Sequence, residues 1–152
     1  MSGLATLADD SGLVVDALDG RPGVLSARYA GESATDAENV ARLLAELSGV
    51  PMDERTARFQ CVIAVAIPGR EVATFTGSVE GSIAVAPKGE GGFGYDPVFV
   101  LSGSDHAGMT MARLSPSAKS VLSHRGLAAE KAAEWLRSLP TGSTAASEPE
   151  YN

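Results

Sequence analysis

Three short clusters hold side chains that could do chemistry. The first is Gly89-Glu90-Gly91-Gly92-Phe93-Gly94-Tyr95-Asp96-Pro97. Its glycines let the backbone approach a ligand closely and turn with φ > 0. Phe93 and Tyr95 offer flat faces, and the Asp96 carboxylate can accept hydrogen bonds from N–H donors. These are the parts of a pocket for a flat, polar heterocycle such as a nucleobase. Gly89, Gly91 and Gly94 also satisfy G-x-G-x-x-G, but that fingerprint needs a helix directly after the glycines. Here Tyr95 to Val100 follows, with a proline and a β-rich run. A dinucleotide fold is therefore excluded, and the remaining alternative is a glycine-rich hairpin loop without a ligand.

The second cluster is Asp9-Asp10-Ser11-Gly12, expected where a short strand ends. Adjacent carboxylates on extended backbone point to opposite faces, so at most one enters a given pocket unless a turn re-aims the other. An aspartate here could hold Mg²⁺, which takes one or two carboxylates plus phosphate oxygens and water. It could also act, directly or through a water, in metal-assisted attack on phosphorus. The alternative is a turn in which Asp10 or Ser11 satisfies local N–H groups. The third cluster joins Lys119 to Ser123-His124-Arg125, a triplet expected between two helices. It can present cations and a hydroxyl to an anion or a base edge. The alternatives are a solvated helix face for Lys119 and helix caps for His124 and Arg125. Ser123 lacks a G-x-S-x-G elbow, and the other histidine, His106, lies in a loop, so a serine nucleophile is not supported.

These residues need a scaffold, and the composition allows one. The chain has 152 residues, 44% of them hydrophobic and 20% charged, which suits one globular domain with a real core. A formal net charge of −7 argues against general affinity for nucleic acid or an anionic membrane. Cys61 is the only cysteine, which leaves no intrachain disulfide and no cysteine-based zinc cluster. Its apolar run, 61–67, is too short to span a bilayer. The N-terminus has no basic start before an apolar stretch, so a cytoplasmic location is expected.

Residues 4–8 are expected to form a short buried strand and 13–17 to resume extended structure. Residues 36–47 carry the strongest helix pattern. Thr35 and Glu38 make a capping box, Val40, Leu43, Leu44 and Leu47 share a face, and Gly49 and Pro51 end it. Residues 55–67 and 71–86 are expected to pair as a long hairpin, bent at Gly77 and Gly81. A short strand follows at 97–101, then a helix from Ser115-Pro116 through Lys119 and a last helix over 126–139. One domain is expected over 1–139, with 140–152 as a polar, fraying tail. The fold class is α/β, a mixed β-sheet with long hairpin strands flanked by helices.

With Asp-Asp-Ser-Gly, Gly-Gly-Phe-Gly-Tyr-Asp-Pro and Ser-His-Arg-Gly in this order, the chain closely resembles the Ham1-like inosine/xanthosine triphosphate pyrophosphatase family. The segments 7–18, 22–31, 55–59 and 110–112 agree, and the similarity runs to about Leu139. The resemblance implies cleavage of non-standard purine nucleoside triphosphates (ITP, dITP, XTP) to monophosphate and pyrophosphate. It implies Mg²⁺ dependence and a homodimer. It makes Asp10 the metal-binding catalytic aspartate and Ser11 a substrate contact. It assigns Phe93, Gly94, Tyr95 and Asp96 to the base loop, and Lys119, His124 and Arg125 to further substrate contacts. Hypoxanthine and xanthine carry a 6-oxo group where adenine carries an amine, so N–H donors at these positions favour the oxo base. The family also carries a Ser/Thr-x-Asn-x-x-Lys segment and a glutamate ahead of these motifs, and neither precedes Leu4 here. Impaired turnover is the expectation, with Arg28, Arg55 and Arg58 the basic residues nearest in sequence to replace the missing grip. The second reading is a catalytically impaired nucleotide-binding or dimerisation module of the same fold. A haloacid dehalogenase-type phosphatase requires Asp-x-Asp and fits poorly.

Overall fold

The protein is described from a computed structural model, which covers residues 3–103 and 105–140. The tail expected from residue 140 onward lies, beyond Pro140, outside the described residues. Five strands form one sheet: Thr6–Val15 (β1), Pro22–Gly23 (β2), Thr56–Ala66 (β3), Ala73–Ile83 (β4) and Phe99–Leu101 (β5). Their order is β2-β1-β3-β4-β5, and every pairing is antiparallel. Three helices flank the sheet, Asp36–Glu46 (α1), Pro116–Leu122 (α2) and His124–Ser138 (α3). The expected sheet with long hairpin strands and flanking helices is therefore present. No helix among the described residues is long and apolar enough to cross a membrane.

β3 organises the core. Its buried residues, Ala57, Phe59, Cys61, Ile63 and Val65, recur at every second position, so they share one face. At one end of that face, Phe59 packs with Leu13 and Val15 of β1, Leu43 and Leu47 of the α1 segment, and Phe99 and Tyr95. At the other end, Cys61, Ile63 and Val65 pack under Ala128 and Ala132 of α3, with Phe75 and Trp135 at the margin. Two helices thus cover one face of one strand, and the space between them is where a cavity can form.

α1 forms for the reasons its sequence gives. Thr35 caps it through a reciprocal capping box with Glu38, which satisfies N–H groups that have no intrahelical partner. Its other end is held by Arg55, a buried side chain that donates to the carbonyls of Leu47 (2.7 Å), Val50 (3.0 Å) and Ala84 (3.2 Å). A guanidinium there meets the negative end of the helix dipole.

Two expectations are corrected. The chain does not break at Asp9-Asp10-Ser11-Gly12, because β1 runs through it, paired with β3 from Thr6↔Ala66 to Val15↔Ala57. The start of the segment expected to be a buried strand is open: Leu4, just ahead of β1, and Leu7 are 71% and 56% exposed. β2 covers the other edge of β1 only at Leu13 and Val14, so the aspartates sit on ladder positions with open surroundings and need no turn. Nor is the hairpin bulged at Gly77 or Gly81, since pairing is continuous past Gly77↔Cys61 and Gly81↔Ala57. These glycines serve close approach instead. A Cβ on Gly77 would collide with the backbone of His124 and Ala128, and one on Gly81 with the Val100 carbonyl and the Phe99 ring.

Candidate functional site

A cavity of about 640 Å³ opens between the two covered ends of the β3 face. β1 contributes Ser11 and Gly12, the glycine-rich loop contributes Phe93 to Asp96, and α2 and α3 contribute Lys119, His124 and Arg125. The structure therefore brings eight of the nine expected site residues to one wall or another. The ninth, Asp10, is not among the lining residues.

The glycine-rich loop is fixed from within. Asp96 is 3% exposed. Its Oδ2 accepts the Phe93 N–H at 2.9 Å and is ion-paired with Lys119. Gly92 has φ +79°, and a Cβ there would overlap the Asp96 carboxylate, so this turn requires glycine. The two aromatics behave differently. Tyr95 is buried, and its hydroxyl donates to the Ser26 carbonyl at 2.8 Å. Burial pushes its phenol well above the ordinary range, which keeps it a neutral anchor. Ser26 in turn accepts the Leu13 N–H (2.9 Å) and donates to the Gly23 carbonyl (2.6 Å). Tyr95 thereby ties the loop to β1. Phe93 is exposed, with the Lys119 ammonium 4.4 Å from its ring centroid, and is the face available for stacking.

Of Ser-His-Arg, only Ser123 lies between the two helices as expected. Ser123 is the N-cap of α3 and accepts the Gly126 N–H at 2.9 Å, while His124 and Arg125 begin the helix. α2 is likewise capped, by Ser115 accepting from Ala118. The close approach at Gly77 seats the start of α3 on the sheet. His124 is buried and stacks on Phe59, with centroids 5.0 Å apart and planes 15° from parallel. Burial, helped by the Arg125 charge, lowers its pKa from the ordinary value near 6.5 to about 4, so the ring is neutral at pH 7. Its Nδ1 is buried with no hydrogen-bond partner, and so is the Ser11 hydroxyl. Two orphaned polar groups on one cavity are expensive for a fold and are the usual sign of a ligand that satisfies them.

The acidic pair is arranged as alternation demands. Asp9 faces Ile63 in the ladder and Asp10 faces Val62. Asp9 therefore shares the helix-covered face with Ser11, and Asp10 lies on the opposite, open face. The Asp9 Oδ2 accepts from Arg125 Nε at 2.8 Å. Asp10 is exposed, and its side chain makes no ion pair or hydrogen bond among the described residues. Among the described residues no three His, Cys, Asp or Glu side chains converge as a metal cage. A single open carboxylate still suits an ion that takes most of its shell from phosphate and water, as Mg²⁺ does.

None of the three arginines considered as substitutes lines the cavity. Arg55 is used inside the fold. Arg58 pairs with Asp16 and Glu80, and Arg28 with Glu32. Sequence reasoning missed Asp36, Ser26 and Phe59, all of which line the cavity. Asp36 looked only like a first-turn acid of α1, and its contact with the Gly94 amide at 2.7 Å spans 58 residues of chain.

The model of the Ham1 family matches residues 1–135. A protein of Geobacillus kaustophilus (strain HTA426) named dITP/XTP pyrophosphatase is 62% identical over 125 residues, covering 82% of this chain and 60% of its own length. A protein of the same name from Bacillus subtilis (strain 168) is 52% identical over 130 residues, covering 86% of this chain and 64% of its own. The chain thus spans less than two thirds of the length of both relatives. Among solved structures, the Staphylococcus aureus Ham1 protein superposes with a TM-score of 0.84 at 43% identity, over 90% of this chain and 68% of the other. Together with the antiparallel sheet and the cavity described above, these likenesses show that the chain belongs to the Ham1 family.

Proposed function

We propose that this chain hydrolyses purine nucleoside triphosphates bearing a 6-oxo base, ITP, dITP and XTP, to the monophosphate and pyrophosphate, working in the cytosol as a homodimer. The observation that carries this reading is the pairing of orphans: the Ser11 hydroxyl and His124 Nδ1 lie buried and unpartnered on one cavity. The names of the relatives point the same way. In this reading the base stacks on Phe93, a contact worth about 1–3 kcal/mol. Lys119, already beside that ring, donates to the 6-oxo oxygen and repels an exocyclic amine, which supplies selectivity. Arg125 exchanges Asp9 for a phosphate oxygen. Asp10 would hold Mg²⁺ through its open carboxylate and would orient the attacking water. Mg²⁺, when bound, neutralises phosphate charge and makes that water easier to deprotonate.

A second reading is a module that binds the nucleotide base without turning it over. It is favoured by the place of Asp10, on the face of β1 away from Ser11. Steady-state assays with ITP, XTP and ATP, with and without Mg²⁺, separate the two. Mg²⁺-dependent turnover preferring ITP or XTP over ATP is expected. IMP binding without turnover would favour the module. Equal rates for ATP and ITP would remove the 6-oxo selectivity.

A further inference from the structure

The base loop is held from two sides, and only one of them is the Asp96–Lys119 pair. Phe93 and Gly94 have consecutive backbone amides. The Phe93 N–H donates to Asp96 Oδ2 at 2.9 Å, and the Gly94 N–H donates to Asp36 Oδ2 at 2.7 Å. Fixing two successive amides fixes the two peptide planes that meet at the Phe93 Cα, and hence the direction in which its Cα–Cβ bond leaves the backbone. Gly94 has φ +59° with no heavy atom close to its missing Cβ, so open space lies on that side of it. Among the described residues, the hydrogen bond with Asp36 is the one that reaches this amide from outside the loop.

Asp36 is well placed for this task. It opens α1, whose start is locked by the Thr35–Glu38 capping box. Three residues on, the buried Asn39 accepts the Ala30 N–H (2.7 Å) and donates to the Ala27 carbonyl (3.1 Å). The carboxylate thus stands on a rigid helix, the kind of support that holds a site to sub-ångström tolerance. Asp36 also lines the main cavity and, with Phe93 and Gly94, a second apolar cavity of about 410 Å³ behind the loop. Phe93 is therefore a plate between two spaces. Without a tether it can swing toward the second one.

We propose that Asp36 is a positioning residue for base recognition: by holding the Gly94 amide it keeps the Phe93 ring facing the main cavity. This rests on the base-stacking role given to Phe93 above. An acid in a first helical turn also complements the helix dipole, so the test needs readouts that dipole stabilisation does not move. They are amide hydrogen exchange at Gly94 by NMR and affinity for IMP by calorimetric titration.

In Asp36→Ala, Gly94 exchange is expected to speed up and IMP affinity to fall by about tenfold, the scale of one hydrogen bond to a charged group. Asp36→Asn keeps an acceptor oxygen and should stay near the parent in both. Asp36→Ser, which keeps a helix-start side chain but cannot reach Gly94, should behave as the alanine variant and serves if that one does not fold. Glu38→Gln removes charge from the same helical turn and should change neither readout. In a Phe93→Ala background, Asp36→Ala should weaken IMP no further. Unchanged Gly94 exchange in Asp36→Ala would overturn the tether. Faster exchange with unchanged IMP affinity, where Phe93→Ala does weaken IMP, would overturn the positioning role and leave the base platform standing. If Phe93→Ala leaves IMP affinity intact, the base-stacking reading fails and this inference falls with it, whatever Gly94 exchange shows.

Discussion

Two ion pairs border the same cavity and live in opposite surroundings. Lys119 and Asp96 have side chains 19% and 4% exposed, and Asp96 is further committed to the Phe93 amide. Arg125 and Asp9 have side chains 51% and 39% exposed and no further side-chain partner for either. Removing one partner of a buried pair strands the other charge away from water, whereas an exposed pair is already screened. In the proposed reading, the contrast separates the site into a base end that is built before any ligand arrives and a phosphate end that a ligand must finish. His124, stacked on Phe59, belongs to the built end, and Asp10, on the opposite face of β1, lines neither.

The sharpest way to break this comparison is Lys119→Met. It should destabilise the fold by about 3 kcal/mol in urea unfolding, because Asp96 is left buried with one amide donor. A loss under about 1 kcal/mol would make the two pairs equivalent. Part of the loss should return when Asp96→Asn is added.

Asp10→Asn should do the reverse, with little change in stability or IMP affinity but about a hundredfold lower ITP turnover, near 2.7 kcal/mol in the barrier. Chelating divalent cations should abolish turnover and spare IMP binding. Near-full turnover by the asparagine variant would take Asp10 out of the mechanism.

His124 adds a pH axis. Its folded pKa of about 4 lies below the unfolded value near 6.5. Between these values the unfolded chain binds the proton and the folded one does not, so stability falls as pH drops from about 6.5 toward 4. By pH 5 the loss from this group is about 2 kcal/mol. Arg125 and Lys119 deepen the depression, and Asp96 opposes it. The melting temperature of His124→Gln should fall less over this range than that of the parent. Parallel curves would mean that His124 does not carry the effect.

Phe93→Ala should weaken IMP by about 1–3 kcal/mol while the far-ultraviolet circular dichroism stays unchanged. Unaltered affinity would make the loop a structural turn. At the bottom of the scale, Asp9→Asn should alter stability by less than about 1 kcal/mol. A larger loss would show that the open end is more built than its exposure suggests.

What the sequence displayed and what it hid divide along similar lines. α1 was legible because its capping box and apolar stripe are local patterns, and the hairpin because its strands are long and close in sequence. The three site motifs were legible as residue types, and eight of nine residues meet at the cavity. The partners of those residues were not legible, since Asp36–Gly94, Tyr95–Ser26 and Arg125–Asp9 span 58, 69 and 116 residues. Asp9-Asp10-Ser11-Gly12 has turn composition yet lies in a strand. The ten-residue ladder with β3 outweighs that local preference. Tyr95 and Phe93 looked alike as rings two positions apart. Only the packing of one beneath the loop shows that one anchors and the other is free.

Gly77 carries a last consequence, for how the molecule checks its own assembly. α3 can settle onto the sheet only where a residue of β4 has no side chain beneath the His124 carbonyl, and Gly77 is that residue. Sliding β4 along β3 by a single position would turn its side chains to the other face. Thr76 or Ser78 would then stand nearer the place where the helix must land. The helix that brings His124 and Arg125 to the cavity therefore docks on a correctly registered hairpin and is refused by a slipped one. A misaligned molecule would lack its recognition wall and would not carry a faulty copy of it.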